Sequence, residues 1–332
     1  MTAEQAFGYL PFVWELLLAG FVAAAAAGRT VAAPVRERLA ASLEFARAVR
    51  LPDGTTPRVG DEDDGRIFLP GEGSTRLDRV GGALAAFLER DALGADAALA
   101  RLLIGRAPPP ACVAADGVHQ FPHGGYTVWR NGRLLGTFDH GRLGLGALAA
   151  HGHADALSIT IHAGAAPLVL DPGTFAYFGD PAARTRCRGT PGHATVRFGE
   201  RSQSHMLGPF MWGARARVMP LDEGFEVAWA DGERHWRRVR IEAGTITIED
   251  RVSAGEAALD FTLPPDAEAS LDGGLALVRA GGVSARFECE DAGPWQRRPA
   301  ECARRFGQVI ATTKLTAPIA GARCRTVIRI EG

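Results

Sequence analysis

Residues 151–198 read HGHADALSITIHAGAAPLVLDPGTFAYFGDPAARTRCRGTPGHATVRF. Two short apolar runs, ALSITI and APLVL, are spaced like adjacent strands and are punctuated by Ala-Gly and Asp-Pro-Gly. Around them lie four of the nine histidines, His151, His153, His162 and His193. Tyr177, one of three tyrosines, is here too, with an arginine triplet at Arg184, Arg186 and Arg188. Ligand-type and titratable side chains gathered around two strands point to a site.

Outward from this stretch the chain divides. From Cys112 onward it is a succession of short alternating runs split by Gly, Asn and Asp, and Asn131-Gly132 between two of them is a hairpin signal. Such spacing predicts an antiparallel sandwich or barrel, not a parallel α/β sheet. Residues 1–106 are rich in Ala, Leu, Arg and Glu at helical spacing, which predicts helices over Glu4–Ala27, Ala33–Val49, Thr75–Arg90 and Gly94–Ile104. Pro34 sits where a first-turn proline is tolerated. The run APPPA at 107–111 interrupts any helix. It sets the expected boundary between a helical domain (1–106) and a β domain (107–332), an α+β multidomain chain. The Pro-, Gly- and Asp-rich stretch between the second and third helices is a long loop of the kind that carries function.

Composition excludes some roles. Basic and acidic residues number 37 and 38, a net charge of -1, so bulk charge gives no support to nucleic-acid or membrane-surface binding. Five scattered cysteines without a CxxC pair argue against a disulfide framework and a thiolate zinc site, with one bridge left open. Leu10–Gly28 is almost wholly apolar, but Pro11 and Glu15 interrupt it and no Lys or Arg precedes it. It reads as a buried core helix rather than a membrane span or signal segment. There is no fixed-period repeat, and the alanine run at 23–27 is the sole low-complexity tract.

His151, His153 and Asp155 alternate at the entry to ALSITI, so a strand there would put them on one face. Asp171 closes the next run and His193 opens HATVRF. Two imidazoles and a carboxylate at meeting strand ends fit a three-ligand zinc site; the alternative is ordinary turn residues with Asp171 capping its turn. Tyr177 is either a half-buried aromatic or a site residue. The three arginines are either a solvated basic loop or a fork for carboxylate and sulfate groups. Asp61, Glu62, Asp63 and Asp64 fail the calcium-loop spacing and read as a loop bordering the cleft.

At this point the residues carry a resemblance. HGHADALSITIHAGAAPLVLDPGTFAY, RTRCRGTPGHATV and RSQSHMLGPFMWG are similar to the ordered motifs of the heparinase II/III-type polysaccharide lyases. That family typically reads H-x-H-A-D-x-L-S, L-x-D-P-G-T-x-x-Y and R-x-T-x-x-H-N-T-V, then a Gln and a Trp. In the helical half, EQAFGYLPFVWELL resembles its E-Q-S-x-x-Y-H-x-F-V helix, and LPDGTTPRVGDEDDGR its P-D-G-x-x-P-x-x-G-D loop. The resemblance covers about residues 4–250 and implies part of an (α/α) toroid followed by a large antiparallel β-sandwich. It also implies β-elimination on an acidic, uronate-containing polysaccharide such as heparin, heparan sulfate or alginate.

Residue by residue, Tyr9 matches the toroid tyrosine that serves as acid and base, and His151 the histidine near the reacting uronate. His153, Asp171 and His193 match a metal-binding trio, with zinc the expected divalent ion, and Tyr177 falls near a second active-site tyrosine. Arg184, Arg186 and Arg188 stand as candidates for the anionic substrate. An acidic polysaccharide is the implied partner, with no nucleic acid and no membrane insertion, and a homodimer stays open. Family members are mostly periplasmic or secreted, yet no signal segment is visible. Two departures stand out. Eight residues precede Tyr9, whereas a whole toroid has further helices upstream and an asparagine that helps neutralise the substrate; a truncated protein, a gene fragment or a minimal relative is therefore expected. The usual H-N-T-V is His193-Ala194-Thr195-Val196 here.

The residue types suit elimination. Removing the weakly acidic C5 proton of a uronate and expelling the O4 substituent requires charge stabilisation of the developing enolate. A tyrosine can take that proton and return one to O4 when neighbouring positive charge lowers its pKa. Two other readings stay open on sequence alone: a non-catalytic carbohydrate-binding or assembly protein, and a metal hydrolase with Asp155 as its acid or base.

Overall fold

The structure, a computed structural model, describes residues 5–68, 73–242, 244–253 and 255–331. Its first layer holds α1 (Tyr9–Ala26), α2 (Ala33–Val49), α3 (Arg76–Leu88) and α4 (Ala98–Ile104). All four lie where helical spacing predicted them, although Glu4 is outside the described residues. The Thr75 hydroxyl caps α3 by accepting from the Asp78 N–H at 3.2 Å. On the inner face of α1, Trp14 and Leu18 are buried. Glu15 is buried too, and Arg76 and the Ile67 N–H, each at 2.8 Å, satisfy its carboxylate. The helix is long and apolar enough to cross a membrane by length and composition, with a third of it buried in the fold.

The β half is antiparallel throughout its named strands. Strands 117–121, 126–131, 134–139, 159–163 and 166–169 form a five-stranded meander in chain order. The expected hairpin is there: Asn131 pairs with Leu134 across a two-residue turn in which Gly132 takes φ +57°. An eight-stranded sheet and a four-stranded sheet follow. One core draws on all three sheets, for example Ile159 and Ile161, Ile246 and Ile248, and Leu259 and Phe261. The alternating burial of Thr245–Val252 shows why: every second residue points into that core.

The helical layer shares a core with the meander. Tyr126, Val128 and Leu135 bury one sheet face against Phe7, Phe45 and the α3 alanines, while Trp129, Leu134 and Phe138 turn to the sandwich. The Arg130 guanidinium donates to the Ala48 and Arg50 carbonyls at 2.9 and 3.1 Å, and Arg47 to the Ala92 and Asp91 carbonyls at 2.9 and 2.8 Å. These contacts tie the C-terminal end of α2 to the strand 126–131 and to the segment that follows α3.

Candidate active site and metal centre

The segment expected to be a strand from His151 is not one. The strand begins at Ile159, and residues 151–158 are irregular, with Leu157 at φ +64°. Such a buried loop needs partners for its backbone groups, and buried side chains provide them. Trp212 Nε1 donates to the Gly152 carbonyl at 3.0 Å and Thr190 Oγ1 to that of Ala154 at 2.6 Å. The Gln203 amide bonds both the N–H and the carbonyl of Ala156, and Arg237 reaches the Leu157 carbonyl at 2.7 Å. The Gln and Trp of the sequence pattern are thus the scaffold of the histidine loop.

The loop delivers His151 and His153 to one carboxylate, that of Asp61 on the long loop. His151 Nδ1 lies 3.0 Å from Asp61 Oδ2 and His153 Nε2 lies 2.9 Å from Oδ1. Arg184 donates to both oxygens, to Oδ2 at 2.7 Å, and the Thr174 hydroxyl reaches Oδ1 at 2.8 Å. Burial pulls the Asp61 carboxyl up, but the hydrogen bonds from His151, His153 and Arg184 outweigh it and hold it well below the usual carboxylate range. From sequence Asp61 was a member of a bordering acidic loop and the last residue of the P-D-G-x-x-P-x-x-G-D resemblance, with no site role assigned; two imidazoles in need of an acceptor give it one. Asp155 does not join them. The non-strand backbone turns it aside, into a small space lined also by Gln5 and Asp139.

His153, Asp171 and His193 do come together, with one candidate ligand atom from each within 4.8 Å of the others. Asp171 follows the strand 166–169, whereas His193 ends a 3-10 turn leading to strand 196–198 of the four-stranded sheet. The two sheets are stitched there by Leu170 N–H to the Thr262 carbonyl at 3.0 Å. His193 Nδ1 lies 2.7 Å from Asp171 Oδ2. Burial would raise the Asp171 carboxyl, and the His193 charge and hydrogen bond more than offset it. Burial pushes His153 down to about 4, against the pull of Asp61. His153 Nδ1 and His193 Nε2 are buried without a hydrogen-bond partner. Two orphaned imidazole nitrogens beside a carboxylate fit a zinc-type donor set.

Tyr9 and Tyr177 complete the cluster. Their hydroxyls bond each other, and Tyr9 also donates to Asp63 at 3.3 Å. The His151 ring meets the Tyr9 ring edge-on at 5.0 Å and lies 5.4 Å from the Phe210 ring. Burial, Asp63 and Asp61 push Tyr9 up, with the Tyr177 bond pulling the other way, and burial pushes Tyr177 up as well. Both phenols are therefore protonated at neutral pH.

The arginine triplet is not a loop. It lies on α5 (Pro181–Arg188), capped by Asp180 Oδ1, which accepts from the Ala183 N–H at 2.9 Å. The i, i+4 pair Arg184 and Arg188 faces inward, and Arg186 faces out. Arg184 is committed to Asp61 and lies 5.1 Å from the Tyr177 and Phe210 ring centres. Arg188 donates to the Gly208 and Pro209 carbonyls at 3.0 and 2.7 Å and stacks on Trp212. Arg186 pairs with Glu301 at 2.7 Å, away from the cluster.

Comparison with known proteins agrees with this architecture. The crystal structure of a heparan sulfate lyase HepC mutant from Pedobacter heparinus is similar over 99% of this chain and 53% of its own, at 13% identity and a TM-score of 0.72. A crystal structure of heparinase III matches over 99% of this chain and 54% of its own, at 15% identity and a TM-score of 0.69. A heparinase III gene product with methylated lysines covers 87% of this chain and 45% of its own, at 16% identity and a TM-score of 0.64. The chain thus spans about half the length of these structures. A search of curated proteins finds no match. The family model described as heparinase II/III-like, C-terminal, matches residues 114–331, and the chain belongs to that family.

Proposed function

We propose that this chain carries the reaction centre of a polysaccharide lyase that cleaves an acidic, uronate-containing polymer by β-elimination. The observation that carries the reading is the meeting of Tyr9, from the helical layer, with His151 and Tyr177, from the β half, beside the His153–Asp171–His193 trio. Phe178, largely exposed and 5.5 Å from Phe210, adds apolar ring surface at the rim, as a sugar face requires.

In this reading the roles follow from protonation. Tyr9 holds its proton, so it donates to the leaving O4. His151 is oriented through Nδ1 by Asp61, and its side chain is a quarter exposed, so its other ring nitrogen accepts the C5 proton. Electrons of the broken C5–H bond form the C4–C5 double bond as the C4–O4 bond breaks. Tyr177 holds the Tyr9 hydroxyl in place. A divalent ion held by His153, Asp171 and His193, zinc by their donor types, would supply positive charge that favours the enolate. Arg184 and Arg188 build the pocket rather than grip substrate, and Arg186 is left as a contact for a long anionic chain.

The test is to incubate the chain with uronate polymers and follow the ultraviolet absorbance of the new double bond. Turnover that is lost in Tyr9→Phe and His151→Ala supports the reading. A chain that binds the polymer calorimetrically without turning it over defeats it.

A further inference from the structure

We infer that Asp61 is a positioning residue that sets the tautomers of two histidines with different duties, so that metal binding and proton abstraction depend on one carboxylate. The inference rests on the reading that His151 accepts the proton and that the trio holds a metal.

A carboxylate whose two oxygens both receive Arg184 N–H groups has only acceptors to offer, because arginine cannot accept. The imidazole nitrogen facing it must then carry the hydrogen. For His151 that nitrogen is Nδ1, 3.0 Å from Oδ2, which leaves the lone pair on Nε2. For His153 it is Nε2, 2.9 Å from Oδ1, which leaves the lone pair on Nδ1. The second assignment has independent support: His153 Nδ1 is buried, has no hydrogen-bond partner, and belongs to a residue of the trio. One carboxylate therefore aims a lone pair of His153 toward the metal position and a lone pair of His151 away from the buried carboxylate. Orienting carboxylates behind ligating histidines are a general device; here the same group also orients the candidate base.

The structure fixes Asp61 to serve both. Gly60, at φ +74°, lies where a Cβ would come within 2.8 Å of the Gln5 carbonyl, so the backbone before Asp61 tolerates no side chain there. Arg184 supplies the balancing charge from α5.

Asp61→Asn tests the idea. An amide presents one acceptor and one donor, so it can accept from only one of the two imidazoles and the other ring must reverse its tautomer. Zinc affinity of the full chain, measured by competition with a chromophoric chelator, or kcat with KM unchanged within about twofold, falls by about 10–100-fold. Nitrogen-15 spectra of the unsubstituted chain show His151 as the Nδ1–H form and His153 as the Nε2–H form. The opposite tautomer on either ring overturns the proposal, as does an Asp61→Asn chain that binds zinc and turns over like the original. If Asp61→Asn does not fold, the spectra of the unsubstituted chain decide. If the chain turns over no uronate polymer, the lyase reading fails while the zinc and tautomer measurements still judge Asp61.

Discussion

Three arginines on one short helix should differ sharply in what their loss costs. Arg184→Met removes the guanidinium that donates to both oxygens of Asp61, a residue with no exposed surface. The carboxylate is left with two imidazoles and one hydroxyl, and breaking a buried pair by deleting one partner costs about 3–5 kcal/mol. Arg188→Met removes donors to three carbonyls, but Trp212 still serves Gly152 and Arg184 still serves Pro209. One carbonyl, that of Gly208, loses its arginine, for about 1–3 kcal/mol. Arg186→Met breaks a half-exposed pair with Glu301 and costs about 0–1 kcal/mol. Urea unfolding of the three variants measures the order directly, with equal slopes as the check that the unfolded states match. An Arg184→Met chain within about 1 kcal/mol of Arg186→Met would refute the assignment of Arg184 as the counter-charge of Asp61.

Further outcomes follow from the same structure. Arg76→Met strands the buried Glu15 carboxylate and should cost about 3 kcal/mol or more, whereas adding Glu15→Leu should recover most of it, as read by thermal unfolding. Burial holds His162 at about 4, below its ordinary value near 6.5. The unfolded chain binds the proton first, so this contribution is complete above about pH 6.5 and is lost as pH falls toward 4, by about 3 kcal/mol at most. His162→Asn should flatten the acid limb of a stability–pH curve by one proton. Gly60→Ala should lower kcat with little effect on polymer binding, because strain at φ +74° displaces Asp61. Stripping metal with a chelator should lower the unfolding temperature, and zinc should restore it, the gain rising with the logarithm of free zinc above its Kd.

Much of this was legible in the sequence. Helical spacing gave four helices, and alternation with Gly and Asn turns gave antiparallel sheets, because both periods are set by the face a segment buries. The trio His153, Asp171 and His193 came from the resemblance; the residue pattern alone offered a wider set that also held His151 and Asp155. The histidine loop was misread as strand. Its alternation is real, but its backbone is held by Trp212, Gln203, Thr190 and Arg237, which are distant in sequence. Asp61, though it closes the Gly-Asp loop of the resemblance, received no site role for a similar reason: four consecutive acids look alike until a fold shows that Asp61 is buried against two imidazoles while Asp63 meets Tyr9. The arginines were read as one group because their spacing says nothing about which helix face is covered.

The account stands or falls on bond-breaking by elimination at the Tyr9–His151 site. Mass analysis of fragments released from a uronate polymer by the full chain tests it most directly. The account expects fragments that carry an unsaturated uronate at their new non-reducing end, one water lighter than the same fragments from hydrolysis, and none of them with Tyr9→Phe. Fragments carrying the added water, or the same light fragments from Tyr9→Phe at an undiminished rate, would contradict it.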